Sequence, residues 1–298
     1  MPALLLLLVI LLAAQPAVAS LPRRVAIVDR FFPPAEFFAS ERDREVQLWM
    51  YGLLDVDSDR RREPYFHGDL VRLIASHPDI AFMLYPIPAG IHPLDAILLN
   101  LREIRARLAH QSVDAVLLAW ESSTLISAFD EPFRPDARER YKSRLRQWAE
   151  EGGDWRRTLA IIDELETLSR QGVLVVTIAG NGGRGMVNTF SFAQGVVTVG
   201  ALEPELGDFV SDNALVDRHE QAAYFARRID DPDGIPQGYD INGDGCADIP
   251  LSVVSGKEYP KRSWPPLKGS SFAAPMALKR ILLGDAAAGH CLAQAEQP

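Results

Sequence analysis

Apolar positions along this chain follow two rhythms that take turns. Short apolar runs at Val25-Ala26-Ile27-Val28, Ile80 to Ile87, Val113 to Leu118, Val173 to Ala179 and Val196 to Ala201 have the length of strands. The last two show no polar alternation, as expected where helices cover both faces of a sheet. Between the runs, apolar residues recur by threes and fours. Pro93 opens one such stretch, with Leu94, Ile97, Leu98, Leu101, Ile104 and Leu108 on one face. Trp155 to Arg170 carries Leu159, Ile162 and Leu165 inward, and Gly172 suits its stop. Leu70, Val71 and Ile74 predict a helix opening at His67. The β-α-β series predicts an α/β fold: a doubly wound, mostly parallel sheet flanked by helices.

Two stretches break the rhythm. Residues 121–154 are charged and end in Glu151-Gly152-Gly153-Asp154, which reads as a surface insertion or loop. Residues 203–268 are rich in Asp, Gly and Pro. Neither shows a core of its own, so residues 20–298 are expected to form one domain.

The first residues are of another kind. Leu4 to Ala14 is apolar, and Ala17 and Ala19 form a small-x-small pair, the pattern of a secretory signal peptide cut after Ala19. Arg23 and Arg24 on the far side argue against a retained membrane anchor. The expectation is a secreted or periplasmic protein with no stable membrane span after cleavage. In that compartment Cys246 and Cys291 either pair or stay free; sequence does not choose between them.

Composition then narrows the function. Of 298 residues 47% are hydrophobic and 24% charged, as in an ordinary globule. The formal net charge of -9 offers no basic surface for a nucleic acid.

Four places carry reactive side chains where an open parallel sheet gathers them, at strand carboxyl ends and helix amino ends. Asp29 ends the first strand, His67 precedes Gly68 at a helix start, and Asn181 follows a strand and Gly180. Ser271 lies in Gly269-Ser270-Ser271-Phe272-Ala273-Ala274-Pro275, at the head of the last helix. Acyl transfer needs this set. A serine hydroxyl attacks only when an imidazole takes its proton, and a carboxylate fixes the imidazole's tautomer. The amide of Asn181 and the Ser271 N–H are placed to receive the developing negative oxygen. Each residue alone is weak; their order and contexts together are not.

That order, with Val25-Ala26-Ile27-Val28-Asp29, His67-Gly68, Val173 to Asn181 and Gly269 to Pro275, resembles the subtilisin-like (subtilase) serine peptidases from about Val25 to Leu282. The resemblance implies a subtilisin-like fold and a serine endopeptidase acting on proteins or peptides. It assigns Asp29, His67 and Ser271 as triad and Asn181 as oxyanion donor. It further implies substrate binding along the strand at Ala119, Trp120 and Glu121 and at Gly180. Departures accompany it. Arg30 and Phe31 follow the aspartate in place of Thr or Ser and Gly. Asp69 and Leu70 follow His-Gly in place of Thr-His, putting an extra carboxylate near the imidazole. Glu121 replaces a glycine, which either crowds the cleft or favours basic substrate residues. Between the expected cut and Asp29 there is no room for the propeptide common in the family, and the region after Ser271 is short. Two other readings accompany the peptidase: a pseudoenzyme that keeps the fold as a binding protein, and an esterase with the same triad.

Within about 236–251, Asp240-Ile241-Asn242-Gly243-Asp244-Gly245-Cys246-Ala247-Asp248 has the spacing of a calcium loop. Asp240, Asn242, Asp244 and Asp248 supply side-chain oxygens and Cys246 its carbonyl. Leu251 stands where an EF-hand has Glu, so the loop is closer to integrin-type calcium repeats, and a structural calcium is expected. Asp55, Asp57 and Asp59 share part of the spacing, but Arg60 stands where the turn needs glycine, so they read as solvated loop. Gly180-Asn181-Gly182-Gly183-Arg184-Gly185 matches the dinucleotide pattern but lacks a helical period after it, which excludes that use.

Overall fold

The computed structural model describes residues 21–129, 133–203 and 210–284. The expected signal segment 1–19 and Cys291 lie outside them. Cys246 is disulfide-bonded.

Six parallel strands build the main sheet. They are β1 (Arg23–Asp29), β2 (Ile80–Pro86), β3 (Ala115–Leu118), β5 (Leu174–Ile178), β7 (Val196–Leu202) and β9 (Arg218–His219). Two short strands between them, β4 (Ser123–Leu125) and β6 (Met186–Asn188), form a separate antiparallel pair. β8 (Val210–Ser211) adds to β7 antiparallel. The parallel order is β2-β1-β3-β5-β7-β9. The chain leaves β1 for β2 on one side and returns to β3 on the other. The carboxyl end of β1, and Asp29 with it, thus sits at the point where the winding reverses, the usual place for a site in such sheets.

Helices cover both faces. In chain order they are α1 (Glu41–Tyr51), α2 (His67–Ala75), α3 (Pro93–Arg107), α4 (Arg138–Glu151), α5 (Gly153–Arg170) and α6 (Ser270–Leu283). Alternate β1 residues serve different cores: Val25 and Ile27 pack with Leu70, Ile74 and Leu278 of α2 and α6, while Ala26 and Val28 pack with Ile97, Leu101 and Ile162 of α3 and α5. All are fully buried, so removing the Ile27 side chain to alanine would cost about 2–5 kcal/mol. This two-sided burial is why the strand runs read as unbroken apolar.

Two elements depart from the sequence reading. α1 was not expected: only Leu48 is buried on it, so it has almost no apolar stripe, and its start is fixed by Ser40 Oγ accepting the Asp43 N–H at 3.1 Å. Residues 138–151, read as surface insertion or loop, form α4. Tyr141 and Trp148 of α4 pack around Phe129 at ring-centroid distances of 4.9 and 5.6 Å, and Phe192 joins at 5.5 Å. These rings come from segments far apart in sequence, and no local period reveals such a cluster. No helix opens at Gly180 to Gly185; a 3-10 turn over Gly183–Gly185 leads into β6. The dinucleotide pattern therefore lacks its anion-binding helix start. Among the described residues, no helix is long and apolar enough to cross a membrane.

Candidate active site

β1 delivers Asp29 with its side chain wholly out of solvent. A buried carboxylate must be hydrogen-bonded, and this one is. It meets His67 Nδ1 at 2.8 and 2.9 Å and accepts the Arg30 N–H at 2.7 Å. With an acceptor there, Nδ1 carries the ring proton, so Nε2 is the basic nitrogen facing outward. His67 is the first residue of α2, and its side chain keeps 28% exposure, enough for a substrate to reach. Burial pulls the imidazole pKa down, but the Asp29 charge and hydrogen bond outweigh it and hold the value above the ordinary 6.5.

The glycine after His67 has a steric cause. A methyl group at Gly68 would stand 2.9 Å from Asp29 Cβ and 2.8 Å from the Phe31 ring. Asp69, expected to add charge beside the imidazole, is spent otherwise. Its carboxylate accepts the Phe32 and Phe66 N–H groups at 2.8 and 2.9 Å, tying the loop after Asp29 to the head of α2. Burial raises its pKa against those hydrogen bonds.

Ser271 stands in the first turn of α6, 6% exposed. Pro275 has no N–H to give the Ser271 carbonyl, a local loosening in a helix whose residues 270–279 are all buried. The next side chain, Phe272, lies against the His67 ring with centroids 5.4 Å apart. The head of α6 is thereby set against the imidazole; no hydrogen bond joins His67 to Ser271 among the described residues. Catalytic hydrogen bonds are often long without substrate.

Asn181 follows β5 and Gly180. Its Oδ1 accepts both the N–H and the hydroxyl of Ser270, at 2.9 and 3.1 Å. A methyl group on Gly269 would stand 3.1 Å from Ser271 Oγ and 3.6 Å from Asn181 Oδ1, so the serine hydroxyl and the amide oxygen border one small space. Asn181 Nδ2 and N–H both point to the Glu121 carboxylate, at 3.2 and 3.1 Å. Ala119 is buried at the end of β3, and the Trp120 carbonyl accepts from Asn188 Nδ2. Gly180 has φ +93°, a conformation that favours glycine. Of the residues bearing on this site, Ser270, Phe272, Ser123 and Asn188 went unread in the sequence. Ser270 and Phe272 left a signal only as members of the Gly269 to Pro275 motif, without a role of their own.

In fold the chain resembles the subtilisin-like serine peptidases. No protein-family model matches the chain, and no curated protein matches it in sequence. Solved structures similar to it include the prenylagaramide maturation protease PagA, at 13% identity over 89% of this chain and 74% of that chain, with a TM-score of 0.43. A lanthipeptide protease is similar at 15% identity over 86% of this chain and 71% of the other, TM-score 0.44. The epidermin leader peptide processing serine protease EpiP of Staphylococcus aureus is similar at 11% identity over 93% and 71%, TM-score 0.43.

The Asp240 loop is folded by its own side chains. Asp240 accepts the Gly243 and Gly245 N–H groups at 2.7 and 2.9 Å, Asn242 Oδ1 that of Asp244 at 2.9 Å, and Asp244 Oδ1 that of Cys246 at 2.8 Å. Asp248 Oδ2 accepts from Ile241 and Asn242. These are hard oxygen donors wound round one turn, a set whose chemistry fits calcium. Elsewhere, carboxylate oxygens of Asp55, Asp57 and Glu63 lie within 4.8 Å of one another. Glu63 is buried, and desolvation pushes its pKa up to about 8. Held neutral, it relieves the crowding of charge.

Proposed function

We propose that this chain is a serine endopeptidase, working outside the cytoplasm, that cleaves peptide bonds through an acyl-enzyme on Ser271. The Asp29–His67 hydrogen-bonded pair beside the head of α6 carries the reading. His67 Nε2 takes the Ser271 proton as Oγ attacks the carbonyl carbon, and the carbonyl's π electrons move onto its oxygen. Asp29 stabilises the imidazolium that results. The oxyanion is received by Asn181 Nδ2 and the Ser271 N–H. His67 then hands the proton to the leaving amine, the acyl-enzyme forms, and a water deprotonated by the same imidazole hydrolyses it. Ala119, Trp120, Glu121 and Gly180 would border the bound peptide.

Export rests on the apolar Leu4 to Ala14 run and the small residues at Ala17 and Ala19. A structural calcium would be held by Asp240, Asn242, Asp244, Asp248 and the Cys246 carbonyl, oxygen ligands spaced along one loop. The deciding experiment is labelling with a fluorophosphonate, with Ser271→Ala as control. Label on Ser271 of the wild type alone supports the peptidase. A folded wild type that takes no label favours a binding protein instead, and turnover of esters without peptides favours an esterase.

A further inference from the structure

Glu121 lies between β3 and β4, across from the turn that carries Asn181. Asn188, fully buried, holds that stretch in place. Its amide donates to the Trp120 and Ile178 carbonyls at 3.0 and 2.9 Å, and its oxygen accepts the Ser122 N–H at 3.1 Å. The backbone on both sides of Glu121 is therefore fixed against the end of β5. From this mount the carboxylate reaches the donors of the site. One oxygen accepts the Asn181 N–H and side-chain amide, at 3.1 and 3.2 Å; the other accepts the Ser123 hydroxyl at 2.6 Å. Gly180 makes the approach possible, because a methyl group there would stand 2.9 Å from Glu121 Oε1 and 2.7 Å from Ser123 Oγ.

A negatively charged oxygen held by amide N–H groups is what a tetrahedral intermediate presents. We infer that Glu121 is an internal occupant of the oxyanion site, a side chain that latches the resting enzyme and must swing away when a substrate carbonyl enters. The inference rests on the peptidase reading. The Glu121 carboxylate takes one of the two hydrogens of Asn181 Nδ2, and its charge opposes a second negative oxygen beside it. Because Asn188 holds the backbone, opening is a change of the Glu121 side chain alone, and the half-buried carboxylate has solvent to move into. A group selecting basic substrate side chains would instead present its oxygens to the pocket, whereas here both are committed to protein donors.

The test uses the full chain with Glu121→Ala and the near-isosteric Glu121→Gln. The measurements are the fluorophosphonate rate at Ser271, and kcat and KM on peptides with Ala, Leu, Lys or Arg before the scissile bond. Glu121→Ala should label roughly tenfold faster or more, the scale of one hydrogen bond to a charged group. kcat/KM should rise by a similar factor whatever the residue before the bond. Glu121→Gln should also gain, and it carries the comparison if the alanine variant does not fold. Wild type that labels while neither variant labels faster overturns the latch and leaves the peptidase standing. A loss confined to Lys and Arg substrates overturns it in favour of a specificity role. No label on any of the three overturns both readings.

Discussion

Gly68 lies so close under Asp29 that a methyl group on it would come within 2.9 Å of the aspartate's Cβ. The space between the head of α2 and the end of β1 is thus set by the smallest residue, and the Asp29–His67 hydrogen bonds depend on that spacing. Gly68→Ala should force the two elements apart. Overpacking of this kind costs about 1–3 kcal/mol, and a misplacement near 1 Å can cost roughly 10²-fold in rate. Calorimetry and kcat/KM on one peptide check both; a variant with wild-type activity would show that the spacing is not critical.

Activity should rise with pH as His67 loses its proton, because only neutral imidazole accepts from Ser271. Asp29 holds that transition above the ordinary 6.5. Asp29→Asn should therefore move the acidic inflection of the pH–rate profile downward and lower kcat by about 10⁴. An unmoved inflection would mean that another group governs the profile.

Stability should follow Glu63. Its folded value of about 8 lies above the unfolded 4.5, so the folded state binds the proton more tightly. The resulting stabilisation is complete below pH 4.5 and is lost as pH rises through about 8. Glu63→Gln should flatten urea-denaturation stability across that window. A wild-type curve that rises over the same range would contradict a buried neutral Glu63.

Calcium binding to the Asp240 loop should raise Tm by a few degrees at a hundredfold excess over Kd, and chelation should reverse the gain. Asp244→Asn keeps an oxygen for the Cys246 N–H yet removes a charge, so it should weaken the response without unfolding the loop. A Tm indifferent to calcium and to chelator would leave the loop as a metal-free turn.

The sheet and its helices were legible because their signals are local: β1 alternates between two cores, and α3 repeats its apolar face every three or four residues. The site was partly legible for the same reason. Asp29, His67, Asn181 and Ser271 each stand at the end of an element with a readable period. What could not be read is who meets whom. Glu121 was visible as a departure, but nothing in its neighbours says that one of its oxygens reaches Asn181, sixty positions along. Asp69 reads as a charge near the imidazole, yet its actual partners, Phe32 and Phe66, offer only backbone N–H groups, which no side-chain pattern reports.

Asn181 is fastened to Ser270 by two hydrogen bonds, so the turn after β5 and the head of the final helix are joined beside Ser271. On the peptidase reading, a small shift of this joined pair toward His67 would bring the Ser271 hydroxyl toward the imidazole while Asn181 stays beside it. Closing the distance between imidazole and hydroxyl would then be a motion separate from the release of Glu121.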